Sequence, residues 1–226
     1  MPIIGVCGKK RHGKNTVGEF LTAFEGYTPI AFADPIKRIA MDIYGLSYEQ
    51  CFGSTEAKES PDPRWGVPPR HILQQIGTEV ARSIHKDTWV RYCLDTIERA
   101  GRGEEPVIHW APLKDFVKAS EDKRWPAWAL PMDVYGNTYG GEGDRMINLQ
   151  RWVVTDVRFP NEADHIREAG GKIIKVVRPE REGTQGDTHA SETNIDNIDP
   201  DFLVINDGAL EDLARKVEGL FPELAR

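Results

Sequence analysis

The apolar positions of the chain follow two alternating patterns. Residues 2–7 form a short apolar, partly β-branched run, as for a strand buried on both faces. A glycine-bounded basic loop follows, Gly8 to Gly13. Val17, Phe20, Leu21 and Phe24 then recur at i, i+3, i+4 and i+7, the core stripe of a helix. Thr28 to Ala33 reads as a second strand. Asp34-Pro35 reads as a helix start, a capping side chain followed by proline at the first helical position. Ile36, Ile39, Ala40 and Ile43 form the stripe of that helix. Gly53 to Pro69 is polar and rich in Pro, Ser and Glu, the pattern of a loop. Ile72, Leu73, Ile76, Val80 and Ile84 predict another helix. Trp89, Val90, Cys93, Leu94 and Ile97 predict the next, begun near Asp87-Thr88.

Residues 104–150 sustain no period. They hold Trp110, Trp125, Trp128, several prolines and the glycine cluster from Gly136 to Gly143. The expectation is an inserted irregular subdomain or flap, whose tryptophans could stack on a base but more often make a small core of their own. Regular patterning then returns. Arg151 to Thr155 is a strand ending at Asp156, and Pro160 to Ala169 a short helix stopped by Gly170-Gly171. Lys172 to Val177 is a strand, 178–197 a polar, mobile, lid-like segment, and Phe202 to Ile205 the last strand. Leu210, Leu213, Val217 and Leu220 stripe the last helix. Strands alternating with helices predict an α/β fold, a parallel sheet with helices on both faces, in a single domain over 1–226.

Composition narrows the function classes. Of 226 residues, 39% are hydrophobic and 29% charged, at a mean hydropathy of −0.49. The net charge of −7 argues against broad binding to a nucleic acid polymer or an anionic membrane. No apolar run approaches the ~20 residues that span a bilayer. The opening residues lack a basic lead, so they read as a strand and not a signal peptide. Cys7, Cys51 and Cys93 are too scattered for a disulfide framework or a zinc site, which points to a reducing, cytoplasmic setting. Oligomeric state is not fixed by the sequence, and a homodimer is compatible with it.

The strongest chemical signal is Gly8-Lys9-Lys10-Arg11-His12-Gly13-Lys14-Asn15-Thr16, which fits GxxxxGK between a strand and a helix. Glycines let backbone N–H groups turn inward around phosphate oxygens, and the helix start adds its positive dipole end. Lys14 is placed to reach the β and γ phosphates, with Lys10 and Arg11 beside it. The residue after the lysine is Asn15, not the usual Ser or Thr that ligates Mg²⁺. Asn15 and Thr16 are therefore the metal candidates here, directly or through water.

Several segments in order resemble one family. They are the P-loop, Phe32-Ala33-Asp34-Pro35-Ile36-Lys37, Leu73 to Val80 (LQQIGTEV), Thr155 to Asp164 (TDVRFPNEAD), His189-Ala190-Ser191-Glu192 and Asn206-Asp207-Gly208. The chain resembles the phage-type deoxynucleoside monophosphate kinases of the P-loop nucleoside monophosphate kinase superfamily, from Ile3 to Val217. The resemblance implies a P-loop kinase fold. It also implies transfer of the γ-phosphoryl of ATP to a deoxynucleoside monophosphate with Mg²⁺, giving the diphosphate and ADP, in a host cytoplasm if the chain is phage-encoded. Asn15 departs from the Asp of the simplest members, and 104–150 is longer than expected. Two rivals stand beside this reading: a kinase of another metabolite, such as dephospho-coenzyme A, and a nucleotide-binding switch with little turnover.

Each remaining candidate has a bland reading beside the functional one. Asp34 ends a strand where open parallel sheets bind ligands, and could orient or deprotonate an acceptor, or simply cap a helix. Lys37 follows in the same motif. Asp156 is a Walker-B-like carboxylate for the Mg²⁺ shell, or a turn residue. Arg158 can fork onto a phosphate and Glu162 can read a base or sugar, or the two form a surface ion pair; the resemblance assigns them to monophosphate recognition. Arg70 and Gln74 share that spacing, for acceptor phosphate and base. Arg82 reads as a solvated face. Arg178 and Arg181 are lid arginines or a solvated loop. By resemblance, His189 and Glu192 border the active site. Asn206-Asp207-Gly208 holds the adenine of ATP, as in several P-loop small-molecule kinases, or is an ordinary turn.

Overall fold

The computed structural model describes residues 2–104, 151–179 and 194–224. The expectations for 105–150 and 180–193, including those for Arg181, His189 and Glu192, lie outside the described residues. Five parallel strands form one sheet: β1 (Ile3–Cys7), β2 (Thr28–Ile30), β3 (Trp152–Val157), β4 (Lys172–Val177) and β5 (Phe202–Ile205), in the order β2-β3-β1-β4-β5. Because the strands are parallel, their carboxyl ends share one edge. The chain leaves β1 towards β2 on one side and later reaches β4 on the other. The edge above β1 and β3 is thus the switch point at which such sheets bind ligands.

Alternation along β1 splits the core. Ile3 and Cys7 face one layer, with Trp152, Val154, Val157 and Ile173. That layer is covered by α7 (Thr88–Gly101), through Trp89, Val90, Cys93 and Ile97, and by α8 (Pro160–Glu168), through Ala163 and Ile166. Ile4 and Val6 face the opposite layer, with Val153, Ile174, Val176 and Val204. It is covered by α1 (Lys14–Glu25), α9 (Leu210–Glu218) and α10 (Phe221–Leu224). Gly5 has no room for a side chain, since a Cβ would stand 2.6 Å from Ile173 Cδ1.

A satellite core of Ala40, Leu46, Cys51, Ile72 and Ile76 joins α2 (Ala33–Tyr44), α3 (Tyr48–Phe52) and α5 (Pro69–Gln74) beside the sheet's carboxyl edge. Here the structure corrects several expectations. The second strand stops at Ile30, and Phe32-Ala33 belongs to the start of α2. Gly53 to Pro69 is not all loop. Ser54 caps the single-turn α4 (Thr55–Glu59), as Ser47 caps α3. In α2, Ile43 is 70% exposed, and only Ala40 of the predicted stripe is fully buried. The helix predicted from Ile72 to Ile84 changes gauge. It is α5, then a π-helical segment Gln75–Val80, then α6 (Ala81–Ile84). Ile72 and Ile76 are buried, but Val80 and Ile84 turn outward.

Candidate active site

The loop after β1 is built for close backbone approach. Arg11 has φ +67° and Gly13 φ +100°, both left-handed, so N–H groups turn to one side of the loop. A Cβ on Gly13 would lie 2.6 Å from Asn206 Nδ2. α1 starts directly at Lys14 and points its first-turn N–H groups into the same space. The loop is held from behind. Buried Asn206, after β5, donates from Nδ2 to the His12 carbonyl (2.9 Å). Arg178, after β4, donates its backbone N–H to His12 Nδ1 (3.2 Å). Asp207 turns to Lys216 and is not on the cleft wall, whereas Asn206 and Gly208 are. Asn206 is thus a strut of the phosphate loop, a role its sequence position did not disclose.

A cleft of about 890 Å³ runs from this loop across the sheet edge. At one end it is lined by Lys10, Arg11, Gly13, Lys14, Asn15, Thr16 and Arg178. At the other it is lined by Lys37, Arg70, Gln74, Gly77, Thr78, Arg82, Trp89, Arg158, Phe159 and Glu162, with Asp156 between. Most of the residues singled out from sequence therefore meet in one cavity. Gly8, Asp34 and Asp207 are not on its wall.

Asp156 takes over the capping role expected of Asp34. α2 has no cap of its own. The two oxygens of Asp156 accept the Phe32 and Ala33 N–H groups at 2.7 and 3.0 Å, across 124 and 123 residues of sequence. Asp34 lies inside the first turn. Its Oδ2 accepts the Ala31 N–H (3.1 Å), and its Oδ1 is 3.5 Å from Lys37 Nζ. Burial, assisted by the neighbouring Asp156 charge, raises its pKa to about 6 against the pull of Lys37.

Glu162 and Arg158 do not form a surface pair. Glu162 is 2% exposed, and its Oε2 accepts the Arg158 and Phe159 N–H groups at 2.8 and 3.0 Å, closing the first turn of α8. Its Oε1 pairs with Arg82. Burial pushes the carboxyl up to about 7, while Arg82 and the two N–H groups pull it down. Arg82 is therefore no solvated residue. It is paired, and stacked 3.6 Å over the Phe159 ring.

The π segment accounts for the error. Steps of four residues overshoot an α-helical turn by about 40°, so Arg70, Gln74, Thr78 and Arg82 would drift around an ideal helix. The wider π turn takes back that drift and keeps all four on the cleft wall. Trp89 donates from Nε1 to the Gly77 carbonyl within this segment (2.6 Å). On the same wall Arg70 pairs with Glu59, and Lys37 sits 4.2 Å over the Phe52 ring.

Comparisons with known proteins point to one family. Residues 135–217 match the family model described as Deoxynucleotide monophosphate kinase. A putative deoxynucleotide monophosphate kinase of Acanthamoeba polyphaga mimivirus is 32% identical, over 96% of this chain and 94% of that protein. The deoxynucleotide monophosphate kinase of Enterobacteria phage T4 is 37% identical, over 96% and 98%. The deoxynucleotide monophosphate kinase of Escherichia phage RB69 is 39% identical, also over 96% and 98%.

Proposed function

The chain belongs to the deoxynucleotide monophosphate kinase family, and from that premise we propose that it moves the γ-phosphoryl group of ATP onto a deoxynucleoside monophosphate. The observation that carries the assignment of roles is the single cleft joining a phosphate loop at one end to Arg70, Arg82 and Arg158 at the other. A nucleotide switch needs only the first half.

The triphosphate lies along Gly13 to Thr16, with backbone N–H groups and the α1 dipole on its oxygens and Lys14 at the β and γ phosphates. The acceptor phosphate lies towards Arg158, Arg70 and Lys37, and its base towards Gln74, Thr78 and Trp89. A monophosphate oxygen is already ionised near neutral pH. Transfer therefore needs in-line positioning and charge neutralisation more than a base. Arg178, beside the phosphate loop, adds positive charge there. The oxygen donors of Thr16 and Asp156 suit a hard cation, because each Asp156 oxygen keeps a lone pair after accepting one N–H group. A Mg²⁺ ion held there would neutralise phosphate charge. Asn15 is exposed at the rim, from where it would reach such an ion through water.

ADP release from Mg²⁺-ATP, followed across ribo- and deoxynucleoside monophosphates with dephospho-coenzyme A as control, tests the reading. Turnover is expected with one or more deoxynucleoside monophosphates and not with the control. Acceptor-independent hydrolysis alone would refute it.

A further inference from the structure

At the proposed acceptor end, Arg82 and Glu162 form a buried charge pair. Arg82 leaves α6 with its side chain 13% exposed. One end of the guanidinium pairs with Glu162 Oε1, and Nη1 donates to the Lys86 carbonyl at 2.9 Å. The flat face of the group lies over Phe159. Glu162 in turn holds the backbone N–H groups of Arg158 and Phe159. A continuous chain of contacts thus runs from the π-containing helix, through one guanidinium and one carboxylate, to the backbone of the turn that presents Arg158.

We propose that Arg82 is a positioning residue for the acceptor: by clamping Glu162 and the Phe159 ring it fixes the β3–α8 turn, and with it the aim of Arg158. This rests on the kinase reading and deepens its acceptor side. Three uses of one guanidinium explain the residue type. Only a planar fork can pair edge-on with a carboxylate, donate to a carbonyl and stack on a ring together. Lysine keeps the charge and loses the stack and the fork. A buried carboxylate left without its cation is also costly, so the pair acts as a unit.

The charged and titratable groups facing Glu162 are Arg82 from α6, Asp156 from β3 and Cys93 from α7; Arg158 meets it through its backbone N–H. Arg82 is the main influence favouring the charged form. Its removal therefore moves Glu162 further towards the neutral acid, which holds the turn with one acceptor oxygen fewer. An acceptor-specific pH effect follows, which a purely structural contact would not produce.

Steady-state constants for ATP and for the best deoxynucleoside monophosphate are measured for wild type, Arg82→Lys, Arg82→Met and Glu162→Gln. The range runs from about pH 5.5 to 8.5, with acceptor Kd from calorimetry and melting curves alongside. Arg82→Lys is expected to raise acceptor KM and Kd by about tenfold to a hundredfold, the scale of a misaimed contact. KM for ATP should stay within about twofold, since the variant leaves the phosphate loop untouched. In Arg82→Met the acid limb of acceptor kcat/KM moves to higher pH. In Glu162→Gln that part of the limb disappears and only the acceptor's own phosphate titration remains. Wild-type acceptor KM in a folded Arg82→Lys protein, or equal losses for ATP and acceptor, would overturn the proposal. A wild-type protein that neither phosphorylates nor binds any deoxynucleoside monophosphate would overturn the kinase reading, and the proposal with it.

Discussion

Replacing Asn206 with alanine separates two roles for the turn after β5. The Nδ2–His12 carbonyl bond is buried, spans 194 residues and ties β5 to the apex of the phosphate loop. Its removal takes a buried hydrogen bond from the His12 carbonyl, at a cost of about 1–3 kcal/mol. For a chain of this size each kcal/mol is worth about 2–4 °C, so the melting midpoint should fall by about 4–8 °C at the middle of that range. The released His12 carbonyl also loosens the turn that sets Gly13 and Lys14. KM should therefore rise by a similar factor for ATP, GTP and CTP as donors, because the loop holds phosphates common to all three. Thermal melting and a donor panel measure both effects. An unchanged midpoint with a loss confined to ATP would make Asn206 an adenine contact and refute the strut.

Three further outcomes follow from the cleft. Asp34→Asn keeps an oxygen for the Ala31 N–H but loses the charge beside Lys37, so acceptor KM should rise while kcat stays within about tenfold; a kcat loss of ~10²-fold at unchanged KM would restore Asp34 as a general base. Glu162, raised to about 7 against an unfolded value of about 4.3, binds its proton more tightly when folded. Its contribution is thus complete at low pH and lost as pH rises through 7, so wild type should lose more stability than Glu162→Gln between about pH 5 and 7.5, by melting at each pH. A parallel pH dependence in the two proteins would contradict this. Trp89→Phe keeps a buried ring but drops the bond to the Gly77 carbonyl. It should lower the melting midpoint and raise acceptor KM without changing KM for ATP; an unaltered acceptor KM would remove Trp89 from the site.

What the sequence disclosed depended on the range of the interaction. β4 and β5 were legible to the residue, because a strand buried in a parallel sheet is a bounded apolar run. The start of α7 at Thr88 was legible because its signals are local. The phosphate loop was legible because its geometry demands glycine and lysine at fixed spacing. Arg82 reads as solvated, and the structural contacts of Asp156 and Asn206 stay hidden, for one reason: each satisfies a partner at least 80 residues away. A carboxylate before a proline looks like the cap of its own helix, yet α2 is capped from β3. The π segment is equally silent, since a sequence period of 3.6 cannot announce the turn where it breaks. Ser54 and Ser47 were available as capping signals, but a helix of five residues is too short to show the repeating apolar stripe that marks longer ones.

The central claim is that one cleft passes a phosphoryl group directly between two nucleotides. Incubation with ATP labelled at the γ phosphate and a deoxynucleoside monophosphate, with products separated by chromatography, tests it most directly. Label is expected in the β position of the deoxynucleoside diphosphate, in amounts equal to the ADP formed, falling by at least ~10²-fold in a folded Lys14→Met protein. Label released only as inorganic phosphate, or transfer undiminished in Lys14→Met, would contradict it.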